Sequence, residues 1–128
     1  MRRGRVGFFV LLLSLATGQV VASDSAAPVR YSETDLLKNW ALARCLSGAF
    51  PGSPLEPDAA AAAAGYLERG SVDAAAYEEI VKLADQFLRR TYSSQSGQPL
   101  QTMKCIDLFH SPELDRLAKR HVKRASAR

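Results

Sequence analysis

Apolar residues recur along this chain at helical intervals. Leu36, Leu37, Trp40, Ala41 and Arg44 follow one another at short spacings that make one stripe, with Cys45 at its edge. Ser32-Glu33-Thr34-Asp35 precedes the stripe in the form of a capping box, where the serine hydroxyl accepts an early orphan amide and the acid returns the contact. A first helix is predicted to about Ser47, with Trp40 facing inward. Pro51, Gly52, Pro54 and Pro57 then turn the chain. Asp58 can cap a second helix containing the alanine run Ala59 to Ala64, and Gly70 is placed to end it. So little side-chain bulk allows close approach to a neighbour, in the core or across a subunit contact. Helix propensity alone would also select alanine, and both readings stand.

The clearest periodicity begins at Asp73, where Tyr77, Ile80, Val81, Ala84, Phe87 and Leu88 share a face no strand would produce. The opposite face carries Glu78, Glu79, Lys82, Asp85, Gln86 and Arg89, with Glu78 and Lys82 placed as a favourable pair. A solvated face is the ordinary reading of these charges, and a binding face is the alternative. Tyr92, Ser93, Ser94, Gln95, Ser96, Gly97 and Gln98 follow, ahead of Pro99, with no aliphatic residue among them, so Thr91 to Pro99 is predicted as an exposed, mobile loop. Leu100 to Phe109 makes a short helix carrying Cys105. Ser111-Pro112-Glu113 starts a last one, with Leu114, Leu117, Ala118 and His121 facing back. No segment alternates with period two, so the predicted class is all-α, a compact bundle of about five helices.

The ends add a destination. Arginines within Met1 to Arg5, an apolar stretch from Val6 to Ala16 and small residues to Ala22 have the order of a secretory signal, and the polar interruptions after Leu13 argue against a membrane anchor. The predicted organisation is a cleaved signal at residues 1–22, a flexible leader at 23–31, a helical domain at 32–122 and a basic disordered tail at 123–128. Removing the signal leaves about 105 residues, enough for one core. Of the seventeen basic residues, three lie in the signal and six between Arg116 and Arg128, so the body is acidic and the end basic. The terminal cations suit the negative end of the last helix, a reading preferred over nucleic acid or anionic lipid. Export places the two cysteines in an oxidising compartment, where they can pair only with each other. A Cys45–Cys105 bridge is predicted, worth roughly 4 kcal/mol in the chain-entropy model.

Reactive chemistry is sparse. A cysteine–histidine pair would need a free thiolate, which a disulfide removes. Cys45, Cys105, His110 and His121 lack the close spacing of zinc ligands, so no metal is expected, and His110 is read as a hydrogen-bonding residue at a helix junction. Phosphate loops and serine elbows are absent, and no cofactor is implied. The residues alone point to a binding or structural protein, not an enzyme.

Four blocks narrow this: Leu36-Leu37-Lys38-Asn39-Trp40-Ala41-Leu42-Ala43-Arg44-Cys45, Ala64-Gly65-Tyr66-Leu67-Glu68-Arg69-Gly70, Ala76-Tyr77-Glu78-Glu79, and Thr102-Met103-Lys104-Cys105-Ile106-Asp107-Leu108-Phe109-His110-Ser111. Together they resemble the type VI secretion amidase immunity proteins of family four. The resemblance implies a periplasmic, all-helical homodimer that binds a cognate cysteine peptidoglycan amidase, two inhibitors to two effectors, and covers its groove with a helix and a loop. The residues themselves already argue against nucleic acid as a partner and against stable membrane insertion after signal cleavage. By position the helix is Asp73 to Arg90, exposing Glu78, Glu79, Lys82 and Asp85, and the loop is Tyr92 to Gln98. A periplasmic helical scaffold without inhibitory role is the alternative.

Overall fold

The computed structural model describes residues 29–128, in which five helices and no strand occur: α1 Glu33–Ala49, α2 Leu55–Arg69, α3 Ala74–Leu88, α4 Gln101–His110 and α5 Pro112–Ser126. The signal expected at 1–22, and the leader as far as residue 28, lie outside the described residues. The last leader residues are held: the Val29 carbonyl accepts from the Arg69 guanidinium, and the Tyr31 ring meets Tyr66 edge-on.

α1 is the central helix and touches all four others. Ser32 caps it as expected, its hydroxyl accepting from the Asp35 amide at 3.1 Å and donating to the Asp35 carboxylate at 2.6 Å. The box therefore closes between side chains. Because neighbours lie on several sides, the buried positions of α1 (Leu36, Leu37, Trp40, Ala41, Ala43, Cys45 and Ala49) wrap around it instead of forming one stripe.

α2 begins at Leu55, earlier than the predicted Asp58 cap. Pro57 is tolerated there because the first-turn amides have no helical partner. The Glu56 carboxylate accepts instead from the Gly52 amide at 2.5 Å. Among the helices α2 packs on α1 alone. Ala59 and Ala63, one turn apart, are buried, whereas Ala60, Ala61, Ala62 and Ala64 are exposed. Close approach thus accounts for two alanines and propensity for the others. Gly70 ends α2 with φ −89°, outside the left-handed region expected of a glycine stop. It is glycine for space, since an added Cβ would stand 2.9 Å from the Tyr77 hydroxyl.

Asp73 is the N-cap of α3, and Ala76, Ile80, Ala84 and Phe87 are its buried positions. They join Leu37, Leu108 and Leu114 in the core, while Trp40 meets Tyr77 edge-on at 4.9 Å between centroids. Cys45 and Cys105 are bonded, with Cα atoms 5.6 Å apart, tying α1 to α4 through the core. Ser111 caps α5 by accepting from the Leu114 amide at 3.1 Å, with Pro112 at the first helical position.

The segment expected as a disordered tail at 123–128 is corrected: α5 runs on to Ser126. Val122 and Ala125 remain half-buried, Lys123 and Arg124 lie where cations suit the helix end, and Arg128 pairs with Asp73 at 2.9 Å. Among the described residues no helix is long and apolar enough to cross a membrane.

Candidate functional site

The segment joining α3 to α4 is the polar loop singled out by composition. α3 closes with the Arg89 amide donating to Asp85 O and the Arg90 amide to Phe87 O, both at 3.1 Å, and the Arg90 guanidinium lies 3.4 Å over the Phe87 ring centroid. Tyr92 then turns back toward α4, its hydroxyl donating to Asp107 Oδ2 at 2.6 Å. That bond to a carboxylate pushes the Tyr92 phenol above its ordinary range, reinforced by desolvation.

The tip is a tight turn. The Gly97 amide donates to Ser94 O at 3.2 Å, and φ of +72° places Gly97 where a side chain would be strained. The Ser94 and Ser96 hydroxyls meet at 2.7 Å, and the Gln98 amide reaches Ser96 Oγ at 3.4 Å. Ser93, Gln95, Ser96, Gly97 and Gln98 are exposed, and Tyr92 and Ser94 are half-buried. At the far end Leu100 caps α4 in the left-handed region, φ 51°, a conformation costing a non-glycine residue about 1–2 kcal/mol. Pro99, Leu100, Phe50, Met103 and Ile106 border an open groove of about 550 Å³ beside the loop. Met103 and Ile106 are about half exposed there.

The predicted face of α3 divides. Glu78 and Lys82 are exposed and Asp85 half-exposed, one and two turns apart on one side, while Glu79 turns to α5. There its carboxylate meets Arg120 Nη2 at 2.5 Å and His121 Nε2 at 3.2 Å. Desolvation pushes the Glu79 carboxyl up, but the His121 hydrogen bond and the Arg120 and His121 charges outweigh it and leave the group below its ordinary range. The predicted Glu78–Lys82 ion pair does not form; the ion pairs of α3 run to α5 and its end.

His110 does not make the junction bond expected of it. It is exposed and lies edge-on to Phe109, while the Ser111 hydroxyl donates to Leu108 O at 2.8 Å. Both cysteines are consumed by the bridge, leaving no thiolate.

Lys104 escaped the sequence reading. It is only 6 % exposed, and its ammonium donates to Leu88 O, at the end of α3, at 3.1 Å. The signal was present, because Lys104 is next to Cys105 and one turn before the buried Leu108, on the inward side of α4.

Fold and surface together define a small disulfide-stapled helical domain that exposes a structured polar loop and a charged helix face. The family model of the type VI secretion system amidase immunity proteins, Tai4, matches residues 35–118. The chain belongs to that family. It is 40% identical to a chain in the structure of the effector–immunity system Tae4/Tai4 from Salmonella typhimurium, with TM-score 0.68, covering 72% of this chain and 91% of that one. A chain from work on type VI-secreted toxins and self-resistance proteins in Serratia marcescens is 28% identical, with TM-score 0.64 and coverage of 77% and 87%. The Tae4–Tai4 effector–immunity complex from Enterobacter cloacae contains a chain of the same fold, 23% identical, with TM-score 0.65 and coverage of 73% and 97%. No curated protein sequence matches.

Proposed function

We propose that this protein protects its own cell by binding a type VI peptidoglycan amidase in the periplasm and blocking the amidase's active-site groove. Family membership over residues 35–118 carries the reading. The Salmonella typhimurium relative, solved as an effector–immunity system, supports an amidase as partner. The signal-like N-terminus, with cleavage after Ala22, and the buried disulfide support the compartment.

Inhibition on this reading is steric and electrostatic. The turn at Ser94 to Gly97 is narrow, and Ser93, Gln95, Ser96 and Gln98 supply hydrogen-bonding groups to a groove built for a peptide. Glu78, Lys82 and Asp85 flank the contact and select a complementary surface. Glu79 belongs instead to the α3–α5 seam, where its carboxylate is already engaged. The protein acts without catalysis, as a homodimer that binds two effectors.

An inhibitor competing with abundant cell wall needs affinity in the nanomolar range or tighter, about 12 kcal/mol. Titrating the mature protein into the amidase of the same organism should silence peptidoglycan cleavage at one-to-one stoichiometry. Binding weaker than micromolar, or cell-wall hydrolysis by this chain alone, refutes the reading. Light scattering of free protein and complex tests the dimer.

A further inference from the structure

We propose that Lys104 and Asp107 of α4 are positioning residues for inhibition, forming with Leu88 O and Tyr92 a two-point clamp that fixes the upstream end of the inhibitory loop. The inference rests on the loop reading above and adds what holds the loop in shape.

The first point is the end of α3. Its last carbonyls have no helical partner and would bond water if exposed. The Lys104 ammonium donates to Leu88 O at 3.1 Å from a nearly buried side chain, so the cation satisfies an orphan acceptor and sits at the negative end of the α3 dipole. Burying a lysine is costly without such a partner. The second point is one turn further along α4, where Asp107 accepts from the Tyr92 hydroxyl at 2.6 Å. The Tyr92 ring lies between the two points, its centroid 6.0 Å from Lys104 Nζ.

Cys105, between the two clamp residues in sequence, is bonded to α1. The first two turns of α4 therefore hold the end of α3, Tyr92 at the start of the loop and the central helix together. The tip carries only its own turn bonds among Ser94, Ser96, Gly97 and Gln98. A loop with fixed ends and a short free tip loses less conformational freedom when it enters a groove, which raises affinity without adding a contact.

The test uses the mature full-length chain and the amidase effector of the same organism. Tyr92→Phe and Asp107→Ala should each weaken inhibition roughly tenfold, as expected for losing one charge-assisted hydrogen bond. The double variant should be no worse than either alone, because both remove the same bond. Lys104→Met should speed amide exchange across residues 91–100 and weaken inhibition more, whereas Lys104→Arg, which keeps the charge and donor, should restore part of both. A merely structural role would lower Tm while inhibition measured well below Tm stayed intact; for Tyr92→Phe, inhibition should fall at a temperature where the folded fraction is unchanged. Unaltered loop exchange in Lys104→Met, or additive losses in the Tyr92–Asp107 cycle, overturns the clamp. The loop reading is tested separately by replacing Gln95, Ser96 and Gln98 together with alanine. Full inhibition by that variant refutes the loop, and its loss with a failed clamp cycle refutes the clamp alone.

Discussion

α4 and α5 are joined at Ser111 but docked by different physics. α4 is fastened by the Cys45–Cys105 bond and by the buried Lys104 ammonium on Leu88 O. α5 has apolar anchors, but its lateral ties are ionic: Asp115 to Lys38 of α1 at 2.5 Å, Arg120 to Glu79 of α3 at 2.5 Å, and Arg128 to Asp73 at 2.9 Å. A covalent tie inside the core ignores salt and acid but yields to reduction; half-exposed ion pairs behave the opposite way. The rigid fastening belongs to the helix that borders the polar loop, and the adjustable one to the helix that does not.

Breaking the covalent side should have the largest effect. Cys45→Ala opens a loop spanning a separation of 60 residues and should cost roughly 4 kcal/mol, seen as a lower denaturation midpoint. Inhibition of the amidase should weaken as well, since α4 carries the downstream end of the loop. Unchanged melting and unchanged inhibition under reducing conditions would refute the assignment of the bridge to loop placement. Leu114→Ala comes next. Leu114 is fully buried at the start of α5, and its truncation should cost about 2–5 kcal/mol, more than removing any one ion pair. A smaller loss would mean that charges, not apolar anchors, hold α5.

The junction should respond less. Ser111→Ala removes the acceptor for the Leu114 amide and the donor to Leu108 O, and loss of a helix cap costs about 1 kcal/mol. The expected outcome is a modest fall in Tm with inhibition intact, because neither partner touches the loop. A drop as large as that of Cys45→Ala would show that α4 and α5 unfold as one unit.

The same contrast shows what could be read from the residues. Two cysteines behind a signal-like N-terminus admit a single pairing, and a 3.6-residue rhythm identifies a helix locally, so the bridge and α3 were legible. Motifs at fixed short offsets, Ser32 with Asp35 and Ser111 with Leu114, were legible for the same reason. Glu79 was not, because whether it faces solvent or α5 depends on how two helices separated by a sequence distance of 41 are rotated against each other. Lys104 was obscured because lysine is almost never buried, and its acceptor is a backbone carbonyl that no side-chain pattern announces. The end of α5 was misjudged because the cationic composition of 123–128 reads as a solvated tail, while Arg128 finds its partner in Asp73.

The smallest effect should come from acid, and its direction discriminates between the two helices. The hydrogen bond and charge of Lys38 hold the Asp115 carboxyl below its ordinary range, with Lys119 assisting, and Glu79 is also held low, despite desolvation, by His121 and Arg120. A carboxyl depressed in the folded state contributes stability that is complete above its unfolded pKa and disappears as pH falls through the folded one. For both groups that window begins near pH 4 and extends downward. Because the Glu79 side chain is 41% exposed, solvent screening limits its pair with Arg120 to about 1 kcal/mol at most. Oxidised protein should therefore melt slightly lower at pH 3 than at pH 7, with amide protection, taken relative to the intrinsic exchange rate at each pH, reduced in α5 and unchanged in α4. Glu79→Gln should flatten part of that pH dependence, and high salt should mimic it at neutral pH. If acid instead loosens α4 first, or Glu79→Gln melts with the wild-type pH slope, the ion pairs do not dock α5 and its apolar face does so alone.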